Sequence, residues 1–122
     1  MPSGKVLIVE DDPDQAAALG VHLRSSGFTV ITASDAGEAV PVAAREGPNV
    51  ILLDLGLPGG GGLTALARLR SMPQTARTPV LVLSGSGVDP DWAIAAGAND
   101  YFEKPADPDT VIRSIQKFIE GP

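Results

Sequence analysis

Short apolar runs of strand length, separated by stretches of helical periodicity, fix the fold class of this chain before any single residue is interpreted. The runs are residues 5–9, 29–32, 50–53 and 80–83, with a weaker one at 100–103. Three are rich in Val, Ile and Leu without polar alternation, the pattern of strands covered on both faces in a parallel sheet. Between them, Ala16, Leu19 and Leu23 form one helical stripe, Ala39, Val42 and Ala43 a second, and Leu63, Leu66 and Leu69 a third. Val111, Ile112, Ile115, Phe118 and Ile119 make the clearest amphipathic face, near the end of the sequence. Strands alternating with helices predict an α/β fold, a parallel sheet with helices on both sides.

The punctuation agrees. Asp12-Pro13, Asp89-Pro90 and Asp107-Pro108 each read as an N-cap followed by proline at the first helical position. Gly27, Gly47 and Gly97 stand where helices should stop. Pro41 falls inside the second helix, removes a hydrogen bond and crowds the carbonyl of Gly37, so a kink is expected there. At 122 residues the chain has the length of one domain, expected to span 1–122.

Composition excludes several functions. A net charge of −6 and only five aromatic residues (one Trp, one Tyr, three Phe) argue against direct nucleic-acid contact. The absence of cysteine removes thiol catalysis, thiolate metal sites and disulfides, and fits a cytoplasmic location. His22 is the only histidine, so a histidine metal site or a catalytic triad has no basis. No apolar run is long enough for membrane insertion, and no leader pattern opens the chain.

In open α/β sheets, chemistry gathers beyond the carboxyl ends of the strands, where strand order reverses. The first run leads into Glu10, Asp11 and Asp12; the third ends at Asp54, the fourth at Ser84, and the fifth precedes Lys104-Pro105. If the first and third strands are neighbours, Asp11, Asp12 and Asp54 converge. Two like charges about 4 Å apart repel by roughly 4 kcal/mol at an effective dielectric near 20, so such a cluster invites a cation. Oxygen donors alone suit a hard ion, Mg²⁺ best.

The chain resembles the receiver domain of two-component response regulators. The resemblance rests on Val-Glu-Asp-Asp at 9–12, Leu-Leu-Asp-Leu-Gly-Leu-Pro at 52–58 with Gly62 beyond, Ser84 after Leu-Val-Leu, and Gly-Ala-Asn-Asp-Tyr-Phe-Glu-Lys-Pro at 97–105. It implies a doubly wound, flavodoxin-like sheet of five parallel strands in the order 2-1-3-4-5 with five helices. It implies Asp54 as phosphoacceptor, taking its phosphoryl group from a histidine kinase or phosphotransfer protein. Mg²⁺ would be held by Asp11, Asp12, Asp54 and the Gly56 carbonyl, with Lys104 and Ser84 meeting the phosphoryl oxygens. A cis Lys104-Pro105 peptide is part of the same expectation. Ser84 and Tyr101 would form the switch that changes the binding of a downstream effector protein or domain. The face of helix four, strand five and helix five, including Trp92 and Phe102, would meet partners, with Trp92 itself read as packing.

Some residues depart from the family pattern. The span from Ser84 to Tyr101 is short, which predicts a trimmed helix four or entry loop. Glycines at 59–62 predict a mobile loop, and Gly56 offers no side chain to shield a phosphoryl group, which predicts a short-lived aspartyl phosphate. A dehalogenase-type phosphatase would need a second Asp where Gly56 stands. A nucleotide-binding module would need a phosphate loop that neither glycine run supplies. A pseudo-receiver would lack site residues that are all present here. The expected role is therefore regulatory, with only self-catalysed phosphorylation and dephosphorylation and no turnover activity. The chain reads as a stand-alone receiver or a piece of a larger regulator, and the sequence leaves a weak homodimer open.

Overall fold

The apolar runs become the strands they predict. The computed structural model describes residues 4–56, 61–85 and 89–120. In chain order the elements are β1 (Lys5–Val9), α1 (Pro13–Ser25), β2 (Thr29–Ala33), α2 (Ala36–Glu46), β3 (Val50–Asp54), α3 (Gly61–Ser71), β4 (Val80–Ser84), α4 (Pro90–Ala95), β5 (Asp100–Glu103) and α5 (Pro108–Glu120). All neighbouring strands are parallel, in the order β2-β1-β3-β4-β5. The chain leaves β1 toward one edge and returns to its other side at β3, so the carboxyl ends of β1 and β3 flank the reversal point.

Side-chain alternation divides the core in two. Val6, Ile8, Val50, Leu52, Leu81 and Leu83 pack with Leu23 of α1 and Val111, Ile112 and Ile115 of α5. Leu7, Val9, Ile51, Leu53, Val80 and Val82 pack with Ala39 and Ala43 of α2, Leu66 and Leu69 of α3, and Ala93 of α4. Both faces of the central strands are therefore dry, which is why their sequence shows no polar alternation. At the edge, β2 is only partly buried and keeps its threonines outward.

Caps form where the sequence places them. Asp12 and Asp89 accept backbone N–H groups of the first turns of α1 and α4. Asp107 accepts the Asp109 N–H and the Thr110 hydroxyl at the start of α5. Gly47 caps α2 at φ 59°, in the left-handed region that glycine enters without steric cost. The α2 helix continues across Pro41, whose ring is exposed. At six residues, α4 is short, as the trimmed span predicts.

Two of the four glycines expected as a loop belong to a helix: α3 begins at Gly61, while Gly59 and Gly60 lie outside the described residues. Gly62 is there because nothing larger fits. A Cβ on it would lie 2.5 Å from the Asp54 carbonyl oxygen and 2.6 Å from the Leu55 Cα. The helix is thus packed directly on the backbone of the strand end.

At the amino-terminal ends of the strands, two asparagines repeat one device. Asn49 accepts the Lys5 N–H on its side chain at 2.8 Å and donates its own N–H to the Lys5 carbonyl. Asn99 does the same for Val80, at 2.9 Å through the side chain. The Arg70 guanidinium then donates to the carbonyls of Thr75, Ala76, Thr78 and Gly97 and to the Asn99 side chain. Burial draws the Arg70 pKa below its ordinary value, but guanidinium stays charged at any physiological pH.

Replacing Gly62 by Ala must push α3 off the strand end. Gly62→Ala is expected to lose about 1–3 kcal/mol of stability in urea unfolding. A midpoint and slope equal to those of the unmodified chain would contradict the close approach.

Candidate functional site

Parity along the strands decides which acids meet. Val9 pairs with Leu53, so one further step in the same register sets Glu10 beside Asp54. Both are buried, at 8% and 7% exposure, although both are carboxylates. Glu10, Asp11 and Asp54 each present an oxygen within 4.8 Å of the others, and only Asp11 of the three is exposed.

A cation has come to them from the other end of the sequence. Lys104 follows β5, and its Nζ donates to Glu10 Oε1 at 2.7 Å, Gln15 Oε1 at 3.0 Å and Asp54 Oδ2 at 3.2 Å. The Lys104-Pro105 peptide is cis, as expected. The second Asp54 oxygen, Oδ1, accepts the Gly56 N–H at 2.9 Å. Both oxygens of the carboxylate are therefore held, and its plane is fixed.

Three carboxylates against one ammonium leave an excess of negative charge. Desolvation pulls the Lys104 pKa down, but its hydrogen bonds and ion pairs with Glu10 and Asp54 outweigh this, and the net shift is upward. At Glu10 the balance runs the other way. Burial raises its pKa, and the bonds from Lys104 and the Asp12 N–H recover only part of the loss.

Asp12 is the exception among the expected ligands. Its Oδ1 accepts the N–H groups of Asp14 and Gln15 at 2.9 and 3.2 Å, and its Oδ2 accepts the Gln15 side-chain amide at 3.1 Å. Those bonds hold its pKa below the ordinary carboxylate value. The acid that joins Asp11 and Asp54 is Glu10, which the sequence reading had noted at the strand end without giving it a role. Its signal was the alternation itself, since Glu10 shares the parity of Val6 and Ile8. Gln15 also went unnoticed.

Ser84 is fully buried at the end of β4, one step beyond the Leu83 that pairs with Asp54. It shares strand parity with Val82, the register partner of Tyr101, and Tyr101 packs half-buried on the α2–α3–α4 side of the sheet. Trp92, read as packing, is instead 50% exposed beside Ile94 at 47%; Ala93 alone anchors the short α4.

The donor set is one that a hard divalent cation accepts: oxygens only, two of them desolvated, with negative charge in excess. A family model described as the response regulator receiver domain matches residues 6–116. Protein PilH of Pseudomonas aeruginosa is 32% identical over 119 residues, covering 96% of this chain and 98% of that protein. A putative response regulator from Chloroflexus aurantiacus superposes with a TM-score of 0.91 at 32% identity, over 99% of this chain and 100% of that one. The receiver domain of the sensor histidine kinase PA1611 of Pseudomonas aeruginosa superposes at 0.89 with 30% identity, over 98% and 99% of the two chains. That domain holds a magnesium ion in its active-site cleft. The chain spans 34–50% of the length of several transcriptional regulators that it also matches.

The two neighbouring acids should respond oppositely to mutation. A raised folded pKa at Glu10 means the folded state binds that proton more tightly than the unfolded chain. Its contribution to stability therefore falls as pH rises from about 4.5 through the folded value. At neutral pH without divalent ions, Glu10→Gln should raise the melting temperature, on the order of a few degrees. Asp12→Ala should instead lower it by removing a helix cap. Thermal melts in chelator read both, and two changes of the same sign would refute this division of roles.

Proposed function

The chain belongs to the response regulator receiver domain family, and on that premise we propose that Asp54 is its phosphoacceptor, charged by a phosphohistidine on a histidine kinase or phosphotransfer protein. The observation that carries this reading is the Lys104 ammonium 3.2 Å from an oriented, buried Asp54 carboxylate inside an acidic cluster. An Asp54 oxygen attacks phosphorus, the P–N bond breaks, and the electron pair leaves with the imidazole nitrogen. Phosphoryl transfer of this kind needs alignment and neutralised charge more than covalent help.

Each residue has a part in that. Gly56 N–H and Lys104 orient the nucleophile, and Lys104 meets charge on the equatorial oxygens. Asp11, Asp54 and the Gly56 carbonyl would hold Mg²⁺, with Glu10 beside them in place of Asp12. Bound there, the ion supplies charge neutralisation and a template for the phosphoryl oxygens. Ser84 offers a hydroxyl to the same oxygens from the neighbouring strand. Hydrolysis reverses the state: water attacks phosphorus, and the Asp54 carboxylate and inorganic phosphate are released.

The readout we assign to Ser84 and Tyr101, whose common parity puts them on one side of the sheet. A hydroxyl drawn toward the phosphoryl group gives Tyr101 room to turn inward, biasing two conformations of one fold. Ala93 of α4 packs in the same cluster as Tyr101, and α4 leaves Trp92 and Ile94 exposed, which favours this helix for contact with a downstream effector. We further propose a cytoplasmic chain that regulates rather than turns over a substrate.

Incubation with a small-molecule phosphodonor and Mg²⁺ should add one phosphoryl group to the unmodified chain and none to Asp54→Ala, read by intact mass. Equal labelling would remove Asp54 from this role. A Cβ on Gly56 would lie 3.5 Å from Asp54 Oδ1, an ordinary contact that places it beside the carboxylate without a clash. Gly56→Val should slow loss of the phosphoryl group about threefold or more by excluding water; an unchanged decay rate would show that access of water does not limit it.

A further inference from the structure

We propose that Gln15 is a positioning residue that holds the third proton of the Lys104 ammonium in the resting state and must release it before a phosphoryl group can be fully engaged. The inference rests on the phosphoacceptor reading of Asp54. It starts from a count of donors. A lysine ammonium has three N–H bonds, and here three oxygens take them: Glu10 Oε1, Gln15 Oε1 and Asp54 Oδ2. The resting ammonium is saturated.

A phosphoryl group on Asp54 brings new anionic oxygens to the same place, so one acceptor has to yield. Glu10 makes the shortest bond and is buried, so parting it from the ammonium would strand a desolvated carboxylate. Asp54 carries the phosphoryl group itself. Gln15 is neutral and exposed, and it is the acceptor whose loss costs least.

The orientation of its amide is not arbitrary. Nε2 donates to Asp12 Oδ2 at 3.1 Å while Oε1 accepts from Lys104. A flipped amide would set its NH₂ against the ammonium and its oxygen against a carboxylate. The helix cap therefore fixes which end of Gln15 faces Lys104, and α1 is tied through this one side chain to the reacting centre. There is also somewhere for the side chain to go. A groove of about 470 Å³ opens beside it, lined among others by Leu19, His22, Pro108 and Val111.

Gln15→Met keeps the length of the side chain and removes the acceptor. Gln15→Asn keeps the amide but shortens its reach, and Gln15→Glu strengthens the competing acceptor with a charge. Phosphorylation by a small-molecule phosphodonor in saturating Mg²⁺, followed by intact mass, should be about fivefold faster in the Met and Asn variants and slower in the Glu variant. In a Lys104→Met background, Gln15→Met should change nothing, because the group it competes for is gone. A merely structural role would move all three variants in one direction and would persist without Lys104. Rates equal to the unmodified chain in the Met variant, or an undiminished effect without Lys104, overturn the inference while leaving the Asp54 reading intact. Failure of the unmodified chain to take up a phosphoryl group removes that reading, and the inference falls with it.

Discussion

The rest of the site depends on the pairing of one ammonium with two desolvated carboxylates at the reversal point of the sheet. Lys104 reaches Glu10 and Asp54 across a sequence separation of 94 and 50 residues. Removing the ammonium would leave two buried carboxylates uncompensated, which costs far more than the net worth of the pair. The compensation is incomplete, with three acids to one base: burial raises the pKa of Glu10, and the Asp54 charge beside it adds to the shift. A pocket left with unspent negative charge is a poor way to stabilise a fold and a good way to recruit a cation. Stability and function draw on the same electrostatics with opposite sign.

That pocket is possible only because two cores lie beneath it. Alternation sends Glu10 and Asp54 toward the α1–α5 side and Ser84 toward the other, where Tyr101 packs. Within the core the sheet separates these faces completely. At the strand ends it stops, and side chains of opposite parity can answer to one group. The close seat of Gly62 on the Asp54 carbonyl brings a helix to the same rim.

Much of this was legible in the residues, for physical reasons. Apolar runs such as those feeding Asp54 must be covered on both faces, and Asp-Pro pairs start helices because their chemistry suits nothing else so well. Of the three consecutive acids after β1, Glu10 and Asp11 are the two grouped with Asp54. Asp12 is engaged instead as the cap of α1, a local demand that its position before Pro13 already imposes. The Asp-Pro pair that announced the cap already held the answer, and strand parity pointed to Glu10. Gly61 and Gly62 misled because four glycines in a row suggest freedom, whereas Gly62 is required by contact with backbone distant in sequence, which no local pattern encodes. Trp92 misled for the converse reason: six residues of helix can bury one side, and Ala93 occupies it. Gln15 was invisible, since its importance lies in meeting a lysine 89 residues away.

The paired Asn49 and Asn99 bridges, with the Arg70 guanidinium knotted into four carbonyls, all lie at the strand starts, the edge of the sheet remote from the acids. The molecule is clamped at its floor. Whatever rearrangement follows a chemical event at the roof must spread sideways into helix packing, because the floor offers it no hinge. Binders raised against the strand starts are therefore expected to be indifferent to the state of the acids at the opposite end of the sheet.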